Sequence, residues 1–156
     1  MSPRSERELV GVHPYLDRLV RRLEVFLPTL YPQLDFTVIE GLRTEEEQKA
    51  MVASGASQTM NSRHLTGHAV DLMVLLNGKS RWEEPLYYQL CHAVCLVSRE
   101  LSIPVEWGGC WRSVMSITPT LDGVKKSVAE YVEGKKKLRQ KTFFDGPHYQ
   151  LPWEIK

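Results

Sequence analysis

Long apolar runs are missing from this chain. None approaches the roughly 20 residues that a membrane-spanning helix requires, so no stable membrane insertion is expected. The first ten residues, MSPRSERELV, hold no apolar stretch of the secretory type, and no export signal is read there. The expectation is a protein made and folded in the cytoplasm. Charge of one sign is missing too. With 20 Lys and Arg against 19 Asp and Glu the net charge is +1, which gives no overall attraction to nucleic acid. Cysteines are few and odd in number: Cys91, Cys95 and Cys110. That excludes a framework of paired disulfides. The three admit a zinc-binding reading, but they accompany an apolar helical pattern, where a free cysteine is ordinarily a small core residue. There are no repeats, no low-complexity segments and no H-E-x-x-H motif of the helical zinc peptidases.

What is present reads as an ordinary globular chain. Its 156 residues, 42% hydrophobic and 25% charged, are expected to form one domain over 1–156 with a real core. Leu16, Leu19, Val20, Leu23 and Phe26 or Leu27 recur at helical spacing. Pro14 opens that helix, and Pro28 and Pro32 are expected to stop it. Phe36 to Ile39 is short and β-branched, a strand. Thr44 with Glu47 forms a capping box for a helix running to about Ser54 and ending at Gly55. Gly55 to Ser62 is small and polar, a loop. Ala69 to Leu76 reads as a central strand closed by the Asn77-Gly78 turn. Glu84 to Leu101 carries an apolar helix face, and Pro104 to Trp107 reads as a strand broken by Gly108-Gly109. Segment 112–141 is a basic insert with eight Lys or Arg against three acids, containing a surface helix over Asp122 to Leu138. His148 to Leu151 closes the chain as a short strand. Strands separated by loops rather than by regular crossover helices predict an α+β fold with a mainly antiparallel sheet.

The chemistry concentrates in two places. SRHLTGHAVDLM, Ser62 to Met73, sends His64 and Asp71 into the start of the central strand around Gly67, which is expected to allow their close approach. His148 arrives from the far end. Two imidazoles and a carboxylate are the ligand types of a catalytic zinc, which takes three protein ligands and leaves one position for water. His68, four residues after His64, is expected to support the site from outside it or to be exposed. Asp145 precedes His148 by three residues across a Gly-Pro turn, so its carboxylate can fold back toward a metal as a base, or simply cap its own turn. Alternation sends His148 and Gln150 to a cleft and Tyr149 and Leu151 to the core. Arg43, between a strand and a capped helix, either faces the cleft as an oxyanion partner or is a solvated arginine.

These residues together resemble a known family. Ser62-x-His64-x-x-Gly67-x-Ala69-x-Asp71, followed by Asp145-x-x-His148, looks like the D-alanyl-D-alanine-type zinc peptidases. Within them it looks most like the L-alanyl-D-glutamate peptidase branch, which includes phage endolysins. Gly41-Leu42-Arg43-Thr44 with Gln48, then Gly55-Ala56-Ser57-Gln58-Thr59, and Trp107-Gly108-Gly109-x-Trp111 also resemble that branch. The resemblance runs from about Phe36 to Leu151. It implies the hedgehog/D-Ala-D-Ala-peptidase-like fold and a zinc ion (Zn2+) on His64, Asp71 and His148. It also implies Asp145 as catalytic base, Arg43 at the oxyanion, and Ser57, Gln58 and Ser62 along the substrate groove. The substrate implied is the peptidoglycan stem peptide, and the bond expected to be cut is L-Ala–D-Glu. With no export signal read, the enzyme is expected to stay in the host cytoplasm until released to the cell wall, and nothing in the sequence demands more than a monomer. Two departures stand out. The family often has an acid where Cys110 stands and Glu where Gln150 stands. The rival readings are a D,D-carboxypeptidase or dipeptidase on the same scaffold, and a zinc-stabilised wall-binding module without catalysis. The basic insert is read as a specificity or surface-binding element, in part a solvated helical face, with attraction to anionic envelope polymers as a secondary role.

Overall fold

A computed structural model describes residues 1–156. Its elements are α1 (Pro3–Glu8), α2 (Pro14–Leu30), β1 (Leu34–Glu40), α3 (Glu45–Ala53), β2 (Ala69–Leu76), β3 (Lys79–Arg81), α4 (Glu84–Leu101), β4 (Glu106–Trp107), β5 (Arg112–Ser113), α5 (Leu121–Lys137) and β6 (His148–Gln150). Short 3-10 turns occupy Arg63–Thr66 and Val114–Ser116. The fold is α+β, with one sheet ordered β1-β2-β6-β4-β5 and β3 pairing with β2. Every strand pair is antiparallel. No helix is long and apolar enough to cross a membrane.

The core lies between the sheet and helices α2 and α4. Leu16, Leu19, Leu23 and Leu27 of α2 are fully buried, as are Val70, Leu72 and Val74 of β2. They meet Leu90, Val94 and Trp107 in one apolar cluster, and burial of this kind is the main force holding the helices on the sheet. The cysteines belong to this cluster. All three are free and buried, and they are not gathered as a ligand group.

Several local expectations shift. α2 passes Pro28 and ends at Leu30, because a proline in the last turn removes a single backbone hydrogen bond where few remain to be lost. α1 was not read from the sequence; Ser2 caps it, and its Ser5 hydroxyl accepts the Val38 amide hydrogen at 2.9 Å, tying it to β1. β4 covers only Glu106–Trp107 rather than beginning at Pro104, since proline has no N–H to give a ladder. Beside β2, the Asn77-Gly78 turn closes a β2–β3 hairpin. Most of the basic insert takes regular structure: β5, the 3-10 turn Val114–Ser116 and α5. α5 buries Gly123, Val124, Ser127 and Val128 and packs on α4, leaving Lys125, Lys126, Lys136 and Lys137 exposed and Lys135 half-buried.

Candidate active site

Register builds the site. In the antiparallel ladder β2–β6, Asp71 stands directly opposite His148, and on the other side of β2 it stands opposite Glu40. Residues so paired share a face of the sheet at close range. A bulge between Val38 and Glu40 falls on the same row, where bulges serve to re-aim side chains. The next interior row, Val70, Tyr149 and Trp107, is buried to 0% exposure. Tyr149 and Leu151 thus point into the core, while His148 and Gln150 line a cleft of about 780 Å³.

His64 comes from the 3-10 turn before β2. Ser62 caps that turn by accepting the His64 amide hydrogen at 3.2 Å, and Gly67 ends it at φ +74°. The close approach that requires glycine is not between the two ligand-type residues, as the sequence suggested. It is to Gly11, whose carbonyl oxygen would lie 2.3 Å from an added Cβ. His68 is half-buried, hydrogen-bonds Thr66 and packs against His13.

The donor atoms of His64, Asp71 and His148 lie within 4.8 Å of one another. His64 Nε2 is 3.3 Å and His148 Nδ1 3.0 Å from the same oxygen, Asp71 Oδ1. The far side of each ring is occupied. His64 Nδ1 donates to the Gly41 carbonyl at 2.8 Å. His148 Nε2 donates to Gln150 Oε1 at 2.8 Å. The amide orientation of Gln150 follows from its other end, where its NH2 donates to the Glu106 carboxylate at 3.0 Å. With both outer nitrogens protonated, each neutral imidazole turns a lone pair toward a carboxylate. Three acceptors converge on one point, and only a proton or a cation reconciles them. Buried imidazoles fixed this way from behind are the usual setting of metal ligands, so the residues fit a zinc ion by donor type, number and orientation.

The electrostatics of these side chains are tightly linked. Burial alone would lift the Asp71 carboxyl, but the His64 and His148 imidazoles outweigh it and hold Asp71 well below the usual range. Burial opposes charge on His148, yet the hydrogen bond and charge of Asp71, with Asp145 behind, raise its pKa. Asp145 is pushed up to about 6, first by burial and then by the charge of Asp71, against the pull of His148, His64 and Arg43. Its backbone is locked in place: its amide donates to the Gly108 carbonyl, and its own carbonyl accepts from His148 N. Gly108 has no room for a Cβ against it.

Arg43 is 5% exposed. Its Nε donates to Glu40 at 3.1 Å and its Nη1 to Gln48 Oε1 at 2.6 Å. Nη2 is left facing the site, 4.0 Å from Asp71 Oδ2. Gln48, fully buried, also donates to the Ser57 hydroxyl at 2.9 Å, so α3 ties the Ser57–Thr59 loop to the arginine. Ser57, Gln58 and Ser62 all line the cleft. Residues the sequence did not single out complete the walls. Arg63 donates to the carbonyls of Leu151, Pro152 and Ile155 and lies under the Trp153 ring. Glu40 and Glu106 orient Arg43 and Gln150. Their only local signal is an acid in a strand, and their partners are set by register.

Two imidazoles and a carboxylate at the floor of a cleft, with a carboxyl and a guanidinium beside them, have the donor make-up of a metallohydrolase. Comparison with known proteins supports the peptide-hydrolase part of that reading. A family model described as phage L-alanyl-D-glutamate peptidase matches residues 1–127. The L-alanyl-D-glutamate peptidase of Escherichia phage T5 is 30% identical over 113 residues, covering 70% of this chain and 79% of that protein. That of Listeria phage A118 is 37% identical over 78 residues, 50% of this chain and 27% of that protein. Among solved structures, the L-Ala D-Glu endopeptidase ChiX of Serratia marcescens superposes with a TM-score of 0.69 at 38% identity, over 98% of this chain and 90% of that one. The chain belongs to the phage L-alanyl-D-glutamate peptidase family. The family match ends before Asp145 and His148, whereas the likeness to ChiX spans nearly the whole chain.

Proposed function

We propose that this protein is a zinc-dependent endopeptidase that hydrolyses the L-Ala–D-Glu bond of peptidoglycan stem peptides. Its biological role is that of a phage endolysin, kept inside the host until it is released to the wall. The observation that carries the reading is the convergence of His64 Nε2, Asp71 and His148 Nδ1 with both rings hydrogen-bonded from behind. Membership of the peptidase family supports the bond class.

Zinc held by these three residues would supply Lewis acidity toward a carbonyl and bring the pKa of water down to about 7. The chain's own groups do the rest. Asp145, ionised, takes a proton from the attacking water at its carboxylate and passes it to the nitrogen of the leaving D-Glu amine. Its burial keeps its basicity above that of an ordinary carboxylate. Arg43 turns its free Nη2 toward the developing oxyanion, while Glu40 and Gln48 hold the rest of the guanidinium still. The Ser57, Gln58 and Ser62 wall carries the peptide across this centre.

Digestion of purified sacculi, followed by product masses, tests the bond. The expected products are stems beginning at D-Glu; release of terminal D-Ala instead would identify a carboxypeptidase. Asp145→Ala tests catalysis. The variant should bind zinc as the parent does and lose at least about a hundredfold in kcat. Unchanged activity in Asp145→Ala would leave only a binding module.

A further inference from the structure

The cleft holds two cations that the chemistry above does not use. Four basic side chains line it: Arg43, Arg63, Lys135 and Lys141. Arg43 is committed to Glu40 and Gln48, and Arg63 to three carbonyls of the C-terminal segment. The lysines have no carboxylate partner. The one ion pair made by segment 112–141 is Arg112 to Glu130 at 3.6 Å, and Lys135 Nζ meets only neutral groups, the Gln140 side chain at 3.2 Å and the Tyr131 ring at 5.9 Å. The lining carboxylates, Asp71 and Asp145, belong to the reacting centre.

These lysines stand on a stiff wall that continues into that centre. The Phe143 amide donates to the Tyr131 hydroxyl at 3.1 Å, pinning the segment after α5 to the helix. Trp111 Nε1 donates to the Phe143 carbonyl at 2.7 Å, and the two rings stack. Trp111 also lies 5.5 Å from the His148 ring, and its φ of +54° is a costly conformation for a bulky residue. Lys141 precedes Asp145 by four residues, so their backbones are at most about 14 Å apart.

A peptide containing L-Ala–D-Glu brings a matching anion. The glutamyl nitrogen is in the scissile amide, and the chain can continue through only one of the two glutamyl carboxyl groups. The other is a free carboxylate on the leaving side, the side where Asp145 delivers its proton. Resting on the function proposed above, we propose that Lys135 and Lys141 form a carboxylate subsite that receives this free glutamyl carboxylate and selects it over its neutral amide. The basic segment is then a specificity wall as well as a charged surface.

The test compares two otherwise identical stem peptides, one with the free glutamyl carboxylate and one with that carboxylate amidated. The zinc-loaded wild-type protein should favour the acid by roughly tenfold in kcat/KM, the scale of a charge-assisted hydrogen bond at a part-exposed site. The K135Q/K141Q double variant should bring that ratio to about one, through a higher KM for the acid. K125Q/K126Q, altered on the exposed outer side of α5, should keep the preference and controls for general attraction to anions. A preference that survives in K135Q/K141Q, or a wild type that does not discriminate, overturns the subsite. A wild type that cleaves neither peptide contradicts the proposed function instead. Calorimetric binding of the same pair to the zinc-loaded Asp145→Asn protein then decides the subsite alone, which stands on tighter acid binding and falls on equal binding.

Discussion

At the residue scale, the site depends on what lies behind each ligand as much as on the ligands. Gln150 presents an oxygen to His148 because Glu106 holds its NH2 end. Gln150→Leu leaves His148 Nε2 without its acceptor. It should weaken zinc binding about 10- to 100-fold, as read by competition with a chromophoric chelator; unchanged affinity would remove the Glu106–Gln150 pair from the account. Asp145 gives a pH signature. Its folded pKa, about 6, lies above its ordinary 3.8. Its contribution to stability is therefore present below 3.8 and lost as pH rises through about 6. Asp145→Asn does not titrate, so in metal-free protein it should gain on the wild type across that interval and hold a constant lead above about pH 7. Denaturant midpoints across the range check this, and a flat difference would contradict it. The sequence was most informative at this scale. His64, Asp71, Asp145 and Arg43 each stand in a local pattern of turn, cap or strand. Glu106 and Glu40 do not, because nothing near an acid in sequence tells which strand will lie beside it.

At the element scale, the parts with local causes were legible. The Thr44–Glu47 box starts α3 and its side-chain hydrogen bonds are both present. The apolar run of β2 and the periodicity of α4 fall on the bounds expected from the sequence, Ala69–Leu76 and Glu84–Leu101. Where the structure departs from local pattern, tertiary contacts are the cause. α2 outran Pro28 because its buried leucines anchor the final turn to the core. The bulge in β1 depends on β2 as partner. Gly67 joins the two levels. It ends the His64 turn at positive φ and lets that turn sit against Gly11. Gly67→Ala should cost at least about 1–3 kcal/mol and lower zinc affinity with it, since His64 rides on the displaced turn. A urea midpoint equal to wild type would show that the contact is slack.

At the scale of the whole molecule, one ladder decides whether the centre exists. Asp71 and His148 are 77 residues apart in sequence and stand opposite each other in the sheet. No periodicity predicts that pairing, and the family resemblance supplied it. The same is true of the 112–141 segment. Its charge was plain in the sequence, but that α5 turns Lys135 toward the cleft and that Lys141 follows it there depends on where α4 receives the helix.

The central claim is that His64, Asp71 and His148 hold a metal on which hydrolysis depends. It is tested most directly by stripping the protein with a chelator, titrating zinc back, and following cleavage of an L-Ala–D-Glu stem peptide beside a His148→Ala variant treated alike. The account predicts no cleavage without metal, full recovery near one zinc per chain, and no recovery in His148→Ala. Cleavage that persists in the stripped protein, or that zinc restores equally without His148, would contradict it.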